Sequence, residues 1–196
     1  IGYNYGSSDL NFETDKRYDS PAGTAHFIEH KLFSQEWGDA FTKLDSLGVS
    51  VNAFTDFNKT AYYFSGENNF YAAFEVLLNF VQNPHFIKEE IEKEKGIIAQ
   101  EIKMYDDDNN WRVYFELLKS MYFYNGVKEN IAGSVESIEN INSQVLYDCY
   151  NAFYKPENAV IVVVGDIDVE KTFEEAEKIM KKCDIFTTKR IINDEP

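Results

Sequence analysis

The chain has 196 residues, 44% of them apolar and 16% aromatic, and its 34 acidic and 19 basic side chains give a formal net charge of −15. This length and composition allow a domain with its own hydrophobic core and exclude an intrinsically disordered chain. The acidic balance argues against nucleic acid and an anionic membrane surface as partners, because both need a basic protein face.

The N-terminal third is predicted to contain a strand end, two helices and a β-hairpin. Residues 1–21 are polar and turn-rich, which indicates a strand end followed by a loop. Apolar residues at three-to-four spacing predict a helix over 24–33, and a second helical stretch covers 38–47 before Gly48. Alternation over 49–54 and strand-forming residues over 60–64 then predict two antiparallel strands joined by a short turn.

The remaining two thirds are predicted to be mainly helical, with one further strand. The continuous apolar run within 158–164, closed by Gly165, predicts a buried central strand. After it Asp168 is placed to cap a final amphipathic helix. The other helices are predicted, from their apolar spacing, at 68–83, 87–104, 110–124 and 142–153.

Together these elements predict an α+β fold, with a mainly antiparallel sheet and helices packed on one face. The folded domain is expected to cover residues 1–183. The polar tail 184–196 has no clear period and is interpreted as a linker to a second half of a larger protein.

The two cysteines, Cys149 and Cys183, are too few for a disulfide framework, which favours a reducing, cytoplasmic compartment. No apolar run approaches the ~18 residues of a membrane-spanning helix. The N-terminus also lacks the charged and apolar regions of a signal peptide. Because the sequence begins with Ile1 rather than Met, we expect an upstream segment in the natural protein.

The most informative motif is His26-Phe27-Ile28-Glu29-His30, an H-x-x-E-H pattern that takes up two of the three histidines in the chain. On a helix, His26 and His30 lie one turn apart on the same face, so both imidazoles can reach one ion. Glu29 projects beside that face, where its carboxylate can accept a proton from metal-bound water. The pattern therefore predicts a zinc site, against the alternative that two helical histidines are ordinary polar residues.

A catalytic zinc ion needs a third protein ligand and an open position for water. Glu94 and Glu101 lie seven positions apart on the predicted helix 87–104, which is two turns, so they share a face. Glu101 can then bind the metal while Glu94 hydrogen-bonds a ligand. His85 is a more distant candidate ligand. From the residues alone, Glu101 as ligand and Glu101 on a solvated helix face both stay open.

Over nearly its whole length, the chain resembles the pitrilysin, or M16, family of zinc peptidases. Within that family it looks most like bacterial cytoplasmic members of the processing-peptidase-like branch. The stretches that carry the resemblance are 23–33, 51–55, 60–64, 92–107, 131–138 and 164–166.

The resemblance implies a role for each site residue. Glu101 corresponds to the third zinc ligand and Glu29 to the general base. Glu94 corresponds to a residue that supports the metal ligands without binding the metal itself. The strand that holds Asn52, Ala53 and Phe54 corresponds to one that pairs with an extended substrate peptide. Without the resemblance, that strand is simply one half of a hairpin.

The resemblance also implies an architecture of two similar α+β halves that face each other across a chamber, with the zinc half first. This chain corresponds to that first half, and a homologous second half or partner subunit would complete the substrate site. The leading functional hypothesis is a zinc endopeptidase that acts on peptides or unfolded segments. The alternatives are a non-catalytic partner subunit and a metal-stabilised binding module, but Glu29 favours the enzyme because a closed structural zinc site needs no base.

Overall fold

We describe residues 1–181, 187–192 and 194–196 in a computed structural model of the protein. The strands, in chain order, are β1 Gly2–Tyr3, β2 Asn11–Glu13, β3 Arg17–Asp19, β4 Ser34–Gln35, β5 Gly38–Asp39, β6 Ser50–Thr55, β7 Thr60–Ser65, β8 Ala159–Val160 and β9 Lys189–Arg190. The α-helices are α1 Thr24–Leu32, α2 Ala40–Asp45, α3 Phe70–Val81, α4 Lys88–Asp106, α5 Asn109–Met121, α6 Val135–Glu139, α7 Ser143–Phe153 and α8 Val169–Ile179. This combination of helices and antiparallel strands confirms the predicted α+β fold.

The main sheet is antiparallel and has the order β6-β7-β1-β8. The predicted hairpin forms its first two strands, with Ser50 opposite Ser65 and Thr55 opposite Thr60. Side chains alternate along both strands, so that Ala53 and Tyr62 face the helices while the opposite face is exposed. Among the described residues β6 pairs with β7 alone, so its other side is a free edge of the sheet there.

Helix α1 lies at the centre of the domain and packs against β6, β7, α4 and α7. Its apolar residues are fully enclosed, among them Phe27, Ile28 and Leu32. His26 and Glu29 are buried with them, although polar side chains are normally kept at the surface unless they have partners. Helix α4 contacts α1 beside its own apolar stripe, which runs through Ile91, Ile98 and Ile102 as predicted.

The prediction of a buried central strand at 158–164 is wrong. Only Ala159–Val160 pair in the sheet, and they do so at its far edge, next to β1. Ile161 and Val163 pack against the core, whereas Val160, Val162 and Val164 are 66, 73 and 92% exposed. A continuous apolar run does not distinguish a strand covered on both faces from one covered on a single face.

The two ends of the chain are more structured than their polar sequences indicated. The N-terminal segment holds the β2–β3 hairpin, in which the rings of Phe12 and Tyr18 stack with centroids 5.0 Å apart. In the tail, β9 pairs with β2, and Arg190 donates a hydrogen bond to Asp9. Residues 184–186 and 193 of the predicted linker lie outside the described residues, and a second half beyond it stays a prediction.

In the described ranges, no helix is both long and apolar enough to cross a bilayer. Cys149 is a buried free thiol, and Cys183 lies outside the described residues.

Candidate metal centre

The start of α1 depends on Gly23, the residue just before the helix. Gly23 has a φ of 92°, and a Cβ built on it would lie 2.5 Å from the carbonyl oxygen of Ala132. Only glycine tolerates both this left-handed backbone and this close approach. The loop at Ala132 can therefore pack directly on the helix that carries His26 and His30.

The structure brings His26, His30 and Glu101 together. Nε2 of His26 lies 3.6 Å from Oε1 of Glu101, and Nε2 of His30 lies 3.6 Å from Oε2 of Glu101. One donor atom from each residue falls within 4.8 Å of the other two. Around a tetrahedral zinc ion with bonds of about 2.0–2.1 Å, donor atoms are about 3.3 Å apart. The two histidine–glutamate distances are thus close to the separation that a shared zinc ion requires.

The protonation state of the cluster also fits a cation. Burial, and then the charge of His30, lowers the pKa of His26 to about 3, so its imidazole is neutral at pH 7. With His30 in its neutral form as well, two imidazole nitrogens and a carboxylate would be available as electron-pair donors, the set that zinc accepts. Among the described residues, Nδ1 of His26 is buried without a hydrogen-bond partner.

Glu94 fixes the orientation of His30. Its Oε1 lies 3.0 Å from Nδ1 of His30, which places the imidazole proton on Nδ1 and leaves the Nε2 lone pair directed toward Glu101. Burial acts to lower the pKa of His30, but the hydrogen bond to Glu94 and the neighbouring carboxylates together raise it.

Lys31 holds Glu94 from the other side. Its Nζ is almost fully buried, 3.2 Å from Oε2 of Glu90 and 3.7 Å from Oε2 of Glu94. Burial acts to raise the pKa of Glu94, but His30 and then Lys31 keep it below its ordinary value. Glu94 is therefore ionised and can act as a fixed acceptor behind His30.

Glu29 is a buried carboxyl group with one strong partner. Its Oε2 accepts a hydrogen bond of 2.6 Å from Oγ1 of Thr55, the last residue of β6. Burial raises the pKa of Glu29 above its ordinary value, an effect that this hydrogen bond opposes. A carboxyl group held in this way can accept a proton and later release it.

Sequence reasoning assigned no role to Thr55, Tyr105, Lys31 or Glu90. Tyr105 donates to Oε1 of Glu101 at 3.0 Å, and its position one turn after Glu101 was a usable signal. The position of Glu90 one turn before Glu94 was another such signal. Thr55 gave no local signal, because its contact with Glu29 depends on how β6 packs against α1.

The other predicted site residues lie outside the cluster. Asn52, Ala53 and Phe54 lie on the edge strand β6, where Oδ1 of Asn52 accepts a hydrogen bond from the Ala53 amide and the Phe54 ring is exposed. His85 lines a groove of about 800 Å³ with Trp37 and Lys181. It is not part of the ligand group found among the described residues.

Comparisons with protein families give two matches along the chain. Residues 7–135 match the model described as Insulinase (Peptidase family M16). Residues 140–186 match the model described as Peptidase M16 inactive domain. The first of these spans the H-x-x-E-H motif and also Glu94 and Glu101 of α4.

Individual relatives agree with the family matches. The chain is 47% identical over 169 residues to the uncharacterized zinc protease YmfH of Bacillus subtilis, covering 85% of this chain and 40% of that protein. It is 28% identical over 173 residues to the mitochondrial-processing peptidase subunit beta of Bos taurus, covering 84% and 35%. A crystal structure of a putative M16-like peptidase from Alicyclobacillus acidocaldarius matches with a TM-score of 0.95 and 41% identity, over 100% of this chain and 47% of that one. The chain thus spans less than half the length of these relatives.

Proposed function

The chain belongs to the insulinase family of peptidases, family M16, and from that membership we propose that it is the zinc-binding part of a zinc-dependent endopeptidase. Its substrates in this proposal are peptides or unfolded protein segments. The observation that supports it best is the convergence of donor atoms from His26, His30 and Glu101 within 4.8 Å, next to a buried Glu29.

In the proposed site, Nε2 of His26, Nε2 of His30 and the Glu101 carboxylate hold Zn²⁺. Glu94 keeps His30 in the tautomer that can bind, and Tyr105 holds the Glu101 carboxylate. A bound zinc ion supplies a Lewis acid for the scissile carbonyl and lowers the pKa of a bound water to about 7.

Glu29 is the proposed general base, with Thr55 as its positioning residue. Glu29 takes a proton from the attacking water and later delivers it to the leaving amine. Its raised pKa makes the carboxylate a stronger proton acceptor than an ordinary glutamate, which favours the first of these steps. The hydrogen bond from Thr55 to Oε2 limits rotation of the carboxylate while it does so.

The strand β6 is proposed to bind the substrate peptide along its free edge. An extended peptide can add to an exposed sheet edge through main-chain hydrogen bonds, with alternate side chains in contact with the protein. Asn52, Ala53 and Phe54 lie on this edge, and the strand ends at Thr55, which contacts the base. A peptide added here would therefore run toward the proposed zinc site.

A homologous second half, on the same polypeptide or on a partner subunit, is proposed to complete the substrate site. This agrees with the chain spanning about two fifths of its curated relatives. Residues 140–186 match a domain described as inactive, which supports a second candidate function. In that alternative the chain is a non-catalytic subunit or a metal-stabilised binding module that completes a peptidase-like chamber. We retain the cytoplasmic compartment as part of the proposal.

Glu29→Gln separates these functions. In the full-length protein, the variant should keep its zinc and lose turnover of a quenched fluorescent peptide by roughly 100-fold or more, because only the proton acceptor is removed. Exposed Glu36→Gln serves as the matched control and should hydrolyse normally. Normal hydrolysis by Glu29→Gln would refute the base assignment. A zinc-loaded wild type without turnover would favour the non-catalytic candidate.

A further inference from the structure

The hydroxyl group of Thr60 lies one step behind the proposed general base. Thr60 begins β7 directly opposite Thr55, so both side chains lie on the same face of a hairpin that contacts α1. Their Oγ1 atoms are 3.5 Å apart, and Thr55 in turn donates its hydrogen bond of 2.6 Å to Oε2 of Glu29. Thr60 is fully buried and Thr55 half-buried, so the three side chains form a row that leads from the core to the base.

The protons of this row can be assigned from its hydrogen bonds. A hydroxyl group has one proton to donate and lone pairs that can accept two more. The proton of Thr55 is committed to Glu29, so Oγ1 of Thr55 can only accept from Thr60. Thr60 donates to the carbonyl oxygen of Tyr5 at 2.9 Å, and Oγ1 of Thr55 is a second, more distant acceptor for the same proton. Between the two threonines and the carboxylate, the donors therefore point toward Glu29.

Thr60 itself is held rigidly. Its acceptor is the carbonyl group of Tyr5, a residue that is 1% exposed and whose ring stacks on Phe153 with centroids 4.4 Å apart. Tyr154 lies on another side of Thr60, with its hydroxyl oxygen 2.8 Å from that of Tyr62. Burial raises the pKa of Tyr154, and its hydrogen bonds with Tyr62 and Thr60 oppose that rise. Thr60 is therefore a fixed point against which a neighbouring side chain can be positioned.

Thr55 needs such a fixed neighbour. It ends β6 beside the turn 56–59, and rotation about χ1 of a threonine moves its hydroxyl to another staggered position. That rotation would take the hydroxyl away from Glu29 and leave a buried carboxylate free to turn. Contact with Thr60 favours the rotamer that donates to Glu29, because in that rotamer Oγ1 of Thr55 can also accept from Thr60.

We propose that Thr60 is a positioning residue for Glu29 and that it acts through Thr55. The inference deepens the proposed peptidase function and rests on it, since it concerns the step in which Glu29 accepts a proton. The hydroxyl of Thr60 contacts Tyr5, Thr55 and Tyr154 rather than a metal ligand or the free edge of β6. Its loss should therefore lower kcat without lowering zinc content or raising KM.

Thr60→Val tests this in the full-length protein. Valine keeps the shape and removes the hydroxyl, so kcat for a quenched fluorescent peptide should fall roughly 3- to 5-fold. Thr60→Ser retains the hydroxyl and should restore most of the rate.

The matched control is Thr172→Val. Thr172 is also buried and donates to a backbone carbonyl, that of Asp168, but it lies in α8. The control should lose a similar amount of stability and hydrolyse the peptide at the wild-type rate. If either valine variant does not fold, Thr60→Ala and Thr172→Ala replace the pair.

Two further measurements test whether Thr60 acts through Thr55. In the Thr55→Val background, Thr60→Val should lower kcat no further, because the group that transmits its effect is already missing. In a crystal structure of the zinc-free Thr60→Val chain, Thr55 should populate a second χ1 rotamer in which Oγ1 is out of reach of Glu29.

An unchanged kcat in Thr60→Val, or an equal loss in the Thr55→Val and wild-type backgrounds, would overturn the proposal. A single Thr55 rotamer, still bonded to Glu29 in the Thr60→Val structure, would overturn it as well. A wild type that turns over no peptide would instead overturn the peptidase function. The Thr55 rotamer would then still decide whether Thr60 positions the partner of Glu29.

Discussion

At the residue scale, three of the proposed functional side chains are each held by a second side chain. Glu94 holds His30, Thr55 holds Glu29, and Tyr105 holds Glu101. A metal site needs such support, because a side chain free to rotate spends part of its time away from the ion. These supporting contacts come from α4 and β6, so the site depends on the folded domain and not on α1 alone.

Glu94→Gln tests the support of His30. The amide lacks the negative charge that fixes the proton on Nδ1, so we expect zinc affinity to fall about 10- to 100-fold, measured by competition with a chromophoric chelator. The matched control is Glu92→Gln on the same helix, whose side chain pairs with Lys95 and not with His30. Equal zinc affinity in Glu94→Gln and wild type would contradict the role of Glu94.

Thr55→Val tests the support of Glu29. Valine has nearly the same shape but cannot donate a hydrogen bond, so the full-length protein should keep its zinc and lose about 10-fold in kcat. Thr55→Ser retains the hydroxyl and should restore most of the rate. If Val and Ser behave alike, the hydroxyl of Thr55 does not position the base.

The sequence predicted much of the site at this scale because much of it is local. The spacing of His26, Glu29 and His30 along one helix carries its own geometry. The pairing of α1 with α4 is not local, so Glu101 could be proposed from its phase but not distinguished from a solvated residue. Thr55 belongs to a strand and packs on a helix 26 residues away in sequence, a contact that no local pattern encodes.

At the element scale, the helices and the β6–β7 hairpin follow from periodicity and end signals, while the shorter strands do not. Helix α7 begins at the predicted cap, where Asn142 accepts from the amide of Val145, and α8 begins at Asp168 in the same way. The β2–β3 hairpin has only three residues in each strand, too few for an alternation to stand out. The position of β8 at the sheet edge depends on strand order, which the apolar run does not specify.

Two glycines, one just before α1 and one inside α4, should respond oppositely to replacement by alanine. Gly23→Ala forces a side chain into a left-handed backbone against Ala132 and should destabilise the protein by about 1–3 kcal/mol. Gly96 lies inside α4, where a new Cβ would meet no neighbouring atom within 4 Å outside the helix's own backbone. Gly96→Ala should therefore stabilise the protein against unfolding by about 0.5–1 kcal/mol. Urea unfolding of both variants checks this, and equal shifts would contradict the assigned role of Gly23.

At the scale of the whole molecule, the domain leaves apolar surface uncovered. Helix α5 buries only Phe115, while Val113, Leu117 and Met121 are exposed along it. The open face of the sheet likewise exposes Phe54 and Tyr63. This exposed apolar surface and a length below half that of its relatives both support the proposed second half.

The most direct test of the proposed zinc site is the metal content of the purified chain, with His30→Ala and His85→Ala as variants. We expect about one zinc per chain in the wild type and in His85→Ala, and almost none in His30→Ala, because His30 supplies one of three ligands. A wild type that binds no zinc even after the metal is added back, or a His30→Ala variant that binds as much as the wild type, would contradict the site.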